Sequence, residues 1–285
     1  MKKQLTILIL ISLLMTTISC SSEDSAEEQE SFTYKYDNNN VDITQWEATK
    51  NGDRFVIQAM GSEQIFAIEF NKYGNLSSAN SYSTSNFNFP LSQSFIYYSS
   101  YSFNFDIDNI DTGNKMIKAS FDGLLYEDNY DITSPTHEVS GQFNLKYTEV
   151  PQTELTSMDC KINNHDWHAT NTDESSNGQG EQEVSFFNDD EHIINLYFNF
   201  NDITTCHNTP FTQNSDLRIQ LSIYDPINDE MIDCESTGTI SITNITPPSG
   251  LNYGSIEGDF TMTATNPENN QSYNINNGHF KYYYY

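Results

Sequence analysis

One-for-one alternation of apolar and polar residues is the feature that leaves this chain fewest ways to fold. Leu217, Ile219, Leu221 and Ile223 alternate with Arg218, Gln220 and Ser222, and Ile194, Leu196, Phe198 and Phe200 with Asn195, Tyr197 and Asn199. Phe260, Met262 and Ala264 are spaced by threonines, and Phe143, Leu145 and Tyr147 by Asn144 and Lys146. A period of two puts all the apolar side chains of a segment on one face of an extended strand, and strands with one buried face pair antiparallel. No segment beyond residue 31 carries the helical period. Clusters of Asn, Asp, Ser, Gly and Pro separate the runs, and "NDDE" at Asn188–Glu191 reads as a hairpin connection. The expected class is all-β, built as antiparallel β-sandwich domains. Barrel-like domains are the alternative, because alternation looks the same in both.

The pattern is written twice. The only two tryptophans, Trp46 and Trp167, sit in W-x-A-T tetrapeptides, each followed by a strand–turn–strand unit. Further on, "FDIDNIDTGNKMIKASFDG" from Phe105 aligns without a gap with "ISITNITPPSGLNYGSIEG" from Ile240, which sets Phe121 on Ile256 and Gly123 on Gly258. Both halves close on "GQF" at Gly141 or "GHF" at Gly278, leading into Tyr-containing strands. Several anchors in one order predict a duplicated domain. The expected division is 1–19 signal, 20–31 tether, 32–150 first domain and 151–285 second domain, each domain large enough for its own core. Trp46, Trp167, Phe143 and Phe280 are expected in those cores, since an Ala two residues after each Trp leaves room on the same face.

These short motifs resemble the DUF6252-type lipoprotein domain of Bacteroidetes, which has an early W-x-A strand, then G-x-(I/V)-x-I-T, G-x-F and a closing G-x-F strand. The second half matches better, through "GTISITNI", "GDFTM" and "GHFKY". The first half lacks the Gly before "FNFDIDNI" and has "GLLY" in place of G-x-F. The resemblance implies an architecture and a location, and no chemistry.

The N-terminus has Lys2 and Lys3 before an apolar run from Leu5 to Met15 that is too short to span a bilayer. Thr17-Ile18-Ser19-Cys20 resembles a lipoprotein cleavage box, so Cys20 is the expected lipidation site. The acidic stretch after it reads as a solvated tether. It resembles a surface-export signal, and Asp24-Ser25-Ala26 resembles a short O-glycosylation motif. The expected location is the outer membrane, lipid-anchored and facing out. Residues 32–150 carry 15 acids and 7 bases, and 151–285 carry 20 acids and 3 bases. That field repels nucleic acid, which is not an expected partner.

Cys160, Cys206 and Cys234 remain in the mature chain, and Cys206–Cys234 is the expected disulfide, both lying at ends of strand-like runs. Asp225, Asp229, Glu230 and Asp233 form the densest acidic loop. They offer hard oxygen ligands of the kind calcium takes, although the spacing fits no EF-hand frame and a solvated acidic loop is the competing reading. No other cofactor is expected. His165 and His168, three apart on a strand, point to opposite faces. The aromatic runs at Phe95–Tyr98 and Tyr282–Tyr285 exceed what one buried face needs, so Tyr97, Tyr98 and Tyr283 are candidate ligand contacts, with a domain junction as the alternative. No nucleophile elbow, phosphate loop or zinc-protease motif is present. The expected function is a non-catalytic binding or adhesion module for glycan or protein. A structural accessory subunit of an envelope complex is the alternative, and a hydrolase stands behind both.

Overall fold

A computed structural model describes residues 29–85, 89–151, 156–176, 180–250 and 252–284; the signal, Cys20 and most of the tether lie outside them. Ser31–Tyr285 forms one compact unit with two lobes, each around its own hydrophobic core. Lobe 1 comprises β1 (Ser31–Tyr36), β2 (Asn39–Val41), β3 (Ile43–Asn51), β4 (Arg54–Gly61), β5 (Gln64–Asn71), β6 (Leu76–Ser83), β7 (Ser92–Gln93), β8 (Phe103–Asp111), β9 (Met116–Tyr126), β10 (Thr136–Lys146) and β11 (Thr148–Glu149). Lobe 2 comprises β12 (Ser157–Ile162), β13 (His165–His168), β14 (Asn171–Ser176), β15 (Glu181–Phe187), β16 (His192–Asn199), β17 (Cys206–Thr212), β18 (Arg218–Asp225), β19 (Glu230–Asp233), β20 (Glu235–Thr246), β21 (Gly254–Thr265) and β22 (Ser272–Tyr284). Among the described residues the only helical segment is a 3₁₀ turn at Ser99–Tyr101.

The fold is all-β and sandwich-like, with no closed barrel. In lobe 2 the sheet β13-β12-β22-β21-β20-β17 and the sheet β14-β15-β16-β18-β19 share one core. In lobe 1 a single Gln93–Tyr126 rung joins the corresponding leaves into one eleven-stranded sheet. Its wings still face each other, since Tyr34 on β1 stacks on Phe66 of β5 at 4.6 Å although those strands are not hydrogen-bonded neighbours.

The same pairing order occurs in both lobes. The ladders β1–β2, β1–β10, β3–β4–β5–β6–β7 and β8–β9–β10 recur as β12–β13, β12–β22, β14–β15–β16–β18–β19 and β20–β21–β22. Each copy opens with a two-residue hairpin turn in the left-handed region, Asp37-Asn38 and Asn163-Asn164, the geometry that matches strand twist. Each has a bulge in the same place, between Ile107 and Asn109 and between Ile242 and Asn244. Two insertions break the symmetry. Lobe 2 adds β17 at a sheet edge, and lobe 1 adds the aromatic segment 94–102 between β7 and β8.

This topology corrects two sequence alignments. Phe32 and Met158 sit opposite Phe143 and Phe280, so Tyr34 corresponds to Cys160, and their partners across the first hairpin are Val41 and Trp167. The counterpart of Trp167 is therefore Val41. Trp167 is 3% exposed and fills its core, whereas Trp46, expected there, is 38% exposed on β3. The large ring at this level of lobe 1 is Tyr34 instead, stacked on Phe66. Phe143 and Phe280 are buried in their respective cores. In the β8–β9 hairpin the connection runs from Asp111 to Met116, against Thr246 to Ser255 in lobe 2. The longer loop moves the register, so Phe121 corresponds to Phe260, each opposite a glycine of the closing strand, Gly141 or Gly278. Gly258 corresponds to Ala119, and the first copy carries A-S-F where the second has G-D-F.

The expected disulfide is also corrected. Cys206 stands opposite Ile242, and Cys234 immediately precedes β20, so roughly 25 Å of strand separates them, far beyond the ~7 Å that a bridge spans. All three thiols are free. Burial pushes the Cys160 thiol up to about 12 and the Cys234 thiol up to about 11. Native-state alkylation at pH 8 is expected to modify Cys206 alone, with Cys160 and Cys234 reacting only after denaturation, and reductant is expected to leave the melting temperature unchanged.

Candidate functional site

The lobes meet through a built junction. The Asn188–Glu191 turn of lobe 2 carries Asp189, whose carboxylate accepts from the Leu76 amide at 3.2 Å and from Asn75 Nδ2 at 2.9 Å. The Ser100 amide of the lobe 1 insertion donates to the Asp189 carbonyl at 2.9 Å. Burial raises the Asp189 pKa, and those donors oppose the shift. Beside it Ser77 Oγ donates to Asn171 Oδ1 at 2.7 Å, and Asn171 Nδ2 returns a bond to the Ser77 carbonyl at 2.7 Å. Phe95 from the insertion packs on Tyr224 at 5.2 Å, and Tyr97 stacks on the same ring at 5.6 Å.

Above this junction lies a cleft of about 870 Å³ that neither lobe makes alone. Lobe 1 contributes the β3–β4 turn with Asp53 and Arg54, and the β5–β6 turn with Tyr73. Lobe 2 contributes Asp159, His168, Tyr253 and Tyr283. The buried Asn71 side chain shapes the second turn, its Oδ1 accepting from the amides of Tyr73 and Asn75, both at 3.0 Å. That turn projects Tyr73, 52% exposed, flat against His168 with ring centroids 3.7 Å apart. Tyr253 is 63% exposed. The polar side chains meet in pairs. His168 Nδ1 lies 2.5 Å from Asp159, Lys72 Nζ lies 2.8 Å from Asp53, and Arg54 pairs with Glu69. The Asp53 carboxylate holds Lys72 above its ordinary range, and burial lowers Arg54. The surface offers aromatic plates and hydrogen-bonding groups, with Lys72 and Arg54 each paired to a carboxylate.

Tyr283 lines this cleft, with its amide donating to Thr156 Oγ1 at 3.1 Å. Tyr97 and Tyr98 do not join it. Tyr97 is taken up by Phe95, Tyr130 and Tyr224 at the junction, and Tyr98 packs beside it and against Tyr101. Both pack at the junction, the alternative that the sequence leaves open for them. The acidic loop does not converge either. Asp225 caps its own turn through the Ile227 amide and Asn228, Asp229 accepts from Tyr224, and Asp233 accepts from Ser222. Glu230 stands opposite Asp225 in the β18–β19 ladder. Among the described residues no three His, Cys, Asp or Glu side chains group as metal ligands.

Comparison with family models, curated proteins and solved structures finds no match.

Tyr73 and Tyr253 are the cleft residues that alternation alone does not single out. Tyr73 stands before Gly74 in the β5–β6 turn, and Tyr253 directly precedes Gly254, the first residue of β21. A tyrosine in a connection, outside the alternating runs, has no buried face assigned to it by the pattern.

Proposed function

We propose that the protein is a lipoprotein of the outer membrane, anchored through Cys20 and facing out, that binds a glycan or protein ligand without catalysing a reaction. The reading rests most on the cleft to which both lobes contribute exposed tyrosine rings and internally paired charges. Tyrosine brings a large rigid contact area with a polar tip, suited to ligands that are apolar on one face and polar at the edge. Paired charges favour a neutral polar ligand, and the acidity of the whole chain disfavours an anionic one. The resemblance to the Bacteroidetes lipoprotein domain and the acidic tether support the location.

The test uses the full chain expressed with its own leader. Incorporation of a fatty-acid label that is lost on Cys20→Ala is the expected result for the anchor. For the cleft, surface plasmon resonance against neutral oligosaccharides and outer-membrane protein fractions is expected to find a saturable partner. Tyr73→Ala and Tyr253→Ala are each expected to weaken its binding at least tenfold. Binding at wild-type strength in both variants would sink the cleft assignment.

A further inference from the structure

The two lobes finish one sheet edge differently. Strands β8 and β20 hold the same place, each paired with the strand that follows it and each carrying the same bulge. In lobe 2 the connection from β16 to β18, residues 200–217, folds back as β17 and pairs along β20, with Phe211 opposite Gly238 and Thr209 opposite Ile240. In lobe 1 the matching connection from β5 to β6 is a short turn at residues 72–75. Among the described residues, β9 is the one hydrogen-bonded neighbour of β8. Burial records the difference. Ile240 and Ile242 are each 1% exposed, whereas their counterparts Phe105 and Ile107 are only partly covered. A gap of about 560 Å³ lies beside them, bounded by Tyr73, Gly74, Phe105 and Ile107, and a Cβ on Gly74 would meet nothing within 4 Å. The Leu124 amide donates to the Ser102 carbonyl at 2.9 Å, and the ladder alternates from there. Phe105 and Ile107 therefore turn their N–H and C=O groups away from β9, toward the open edge.

We infer that the open edge of β8 is a docking site for an extended, basic segment of a partner protein, which joins the sheet as an antiparallel strand in the place that β17 holds in lobe 2. Strand addition draws its affinity from main-chain hydrogen bonds and its specificity from alternate side chains. The outward N–H and C=O groups of Phe105 and Ile107 supply the first. For the second, the inward side chains of the segment complete the cover over those two residues. Small or β-branched side chains suffice, because Phe103 is itself buried at the level where lobe 2 has Gly238 and brings in Phe211. The outward side chains pass Asp106 and Asp108, both exposed; Asp108 lies 3.9 Å from Lys118, and Asp106 faces solvent. A base opposite a carboxylate stabilises a strand pair, and like charges oppose it. A second copy of this chain would set β8 against β8, Asp against Asp, on a protein of 40 acids and 12 bases, so self-pairing is disfavoured. The bulge does not bar an added strand, since β20 has it in the same place and is paired. The site does not depend on the cleft, although Tyr73 borders both.

The experiment titrates the full chain with three synthetic heptapeptides. The first is Thr-Lys-Val-Lys-Val-Lys-Thr, the second has Glu in place of each Lys, and the third is the Lys peptide N-methylated at both valines, which removes the donors that would face β8. Calorimetry reads the affinity, and amide hydrogen exchange followed by NMR reads the place. In the free protein the amides of Phe105 and Ile107 are expected to exchange quickly, and those of Asn104 and Asp106, bonded to β9, slowly. The Lys peptide is expected to bind saturably and to slow the Phe105 and Ile107 amides at least tenfold. The Glu and N-methylated peptides are expected to bind at least tenfold more weakly. Asp106→Lys combined with Asp108→Lys is expected to reverse the preference in favour of the Glu peptide. Both carboxylates are exposed, so this variant should fold, which far-UV circular dichroism checks. The inference is overturned if the Lys peptide does not bind, if the N-methylated peptide binds equally well, or if the Phe105 and Ile107 amides are already protected in the free protein. It is also overturned if Tyr253→Ala, in the cleft, weakens the Lys peptide as much as the double β8 variant does.

Discussion

Gly278→Ala is expected to destabilise lobe 2 by about 2–3 kcal/mol, the size of an overpacking defect in a closed core. A Cβ at Gly278 would fall within contact of several atoms of the Phe260 ring, which lies flat over the glycine from the neighbouring strand. The ring cannot retreat freely, because Phe260 and Phe280 are both buried in the same core. Phe260→Leu removes the ring and is expected to make the glycine substitution nearly neutral in that background, so a double-mutant cycle gives a coupling of similar size. Gly250→Ala is the control. Nothing lies within 4 Å of a Cβ there, and only its left-handed backbone, φ +63°, is strained. Its cost should stay near 1 kcal/mol. Equal melting temperatures for Gly278→Ala and the wild type would show that the ring does not cover the glycine.

Asp189→Ala is expected to uncouple the lobes. It removes the acceptor of the Leu76 amide and Asn75 Nδ2, and Leu76 is 1% exposed, so its N–H would be left in the junction without water. The expected loss is about 2–4 kcal/mol. Because each lobe keeps its own core, the loss should appear as a split of one calorimetric transition into two. The carboxyl has a raised folded-state pKa, so ionisation works against the junction. Its contribution is greatest below the unfolded carboxylate pKa of about 4 and falls as pH rises through the raised folded value. Asp189→Asn should flatten that dependence. A single unshifted transition in Asp189→Ala would contradict this account of the junction.

The strands were readable from the sequence because period-two alternation depends only on which face is buried, as in Ile219, Leu221 and Ile223. The Asn188–Glu191 turn was readable too, although its side chain at Asp189 gains its role only from the other lobe. The exact correspondence between copies was hidden by exchanges across paired strands. Where lobe 1 sets Tyr34 opposite Val41, lobe 2 sets Cys160 opposite Trp167. Where lobe 1 sets Phe103 opposite Gly123, lobe 2 sets Gly238 opposite Met262. In each case the bulky residue changes strand and the small one moves to face it. The Gly absent before "FNFDIDNI" is therefore present, on the partner strand. Matching residue types along one strand misses this, because close packing constrains the summed volume of the pair and leaves its members free. The cleft was unreadable for a related reason: it is assembled from turns of two lobes, and no local pattern records which turns will meet. Tyr97 illustrates the converse, an aromatic in excess of its own sheet that is consumed by a neighbour across the junction.

The most direct test of a binding site made jointly by both lobes is to titrate one set of probes, the neutral oligosaccharides and outer-membrane protein fractions, against the wild type, Tyr73→Ala and Asp189→Ala under conditions where both lobes remain folded. The account predicts that the ligand held by the cleft is weakened at least tenfold in both variants. Wild-type affinity for every probe in Asp189→Ala would show that the site does not need the two lobes together.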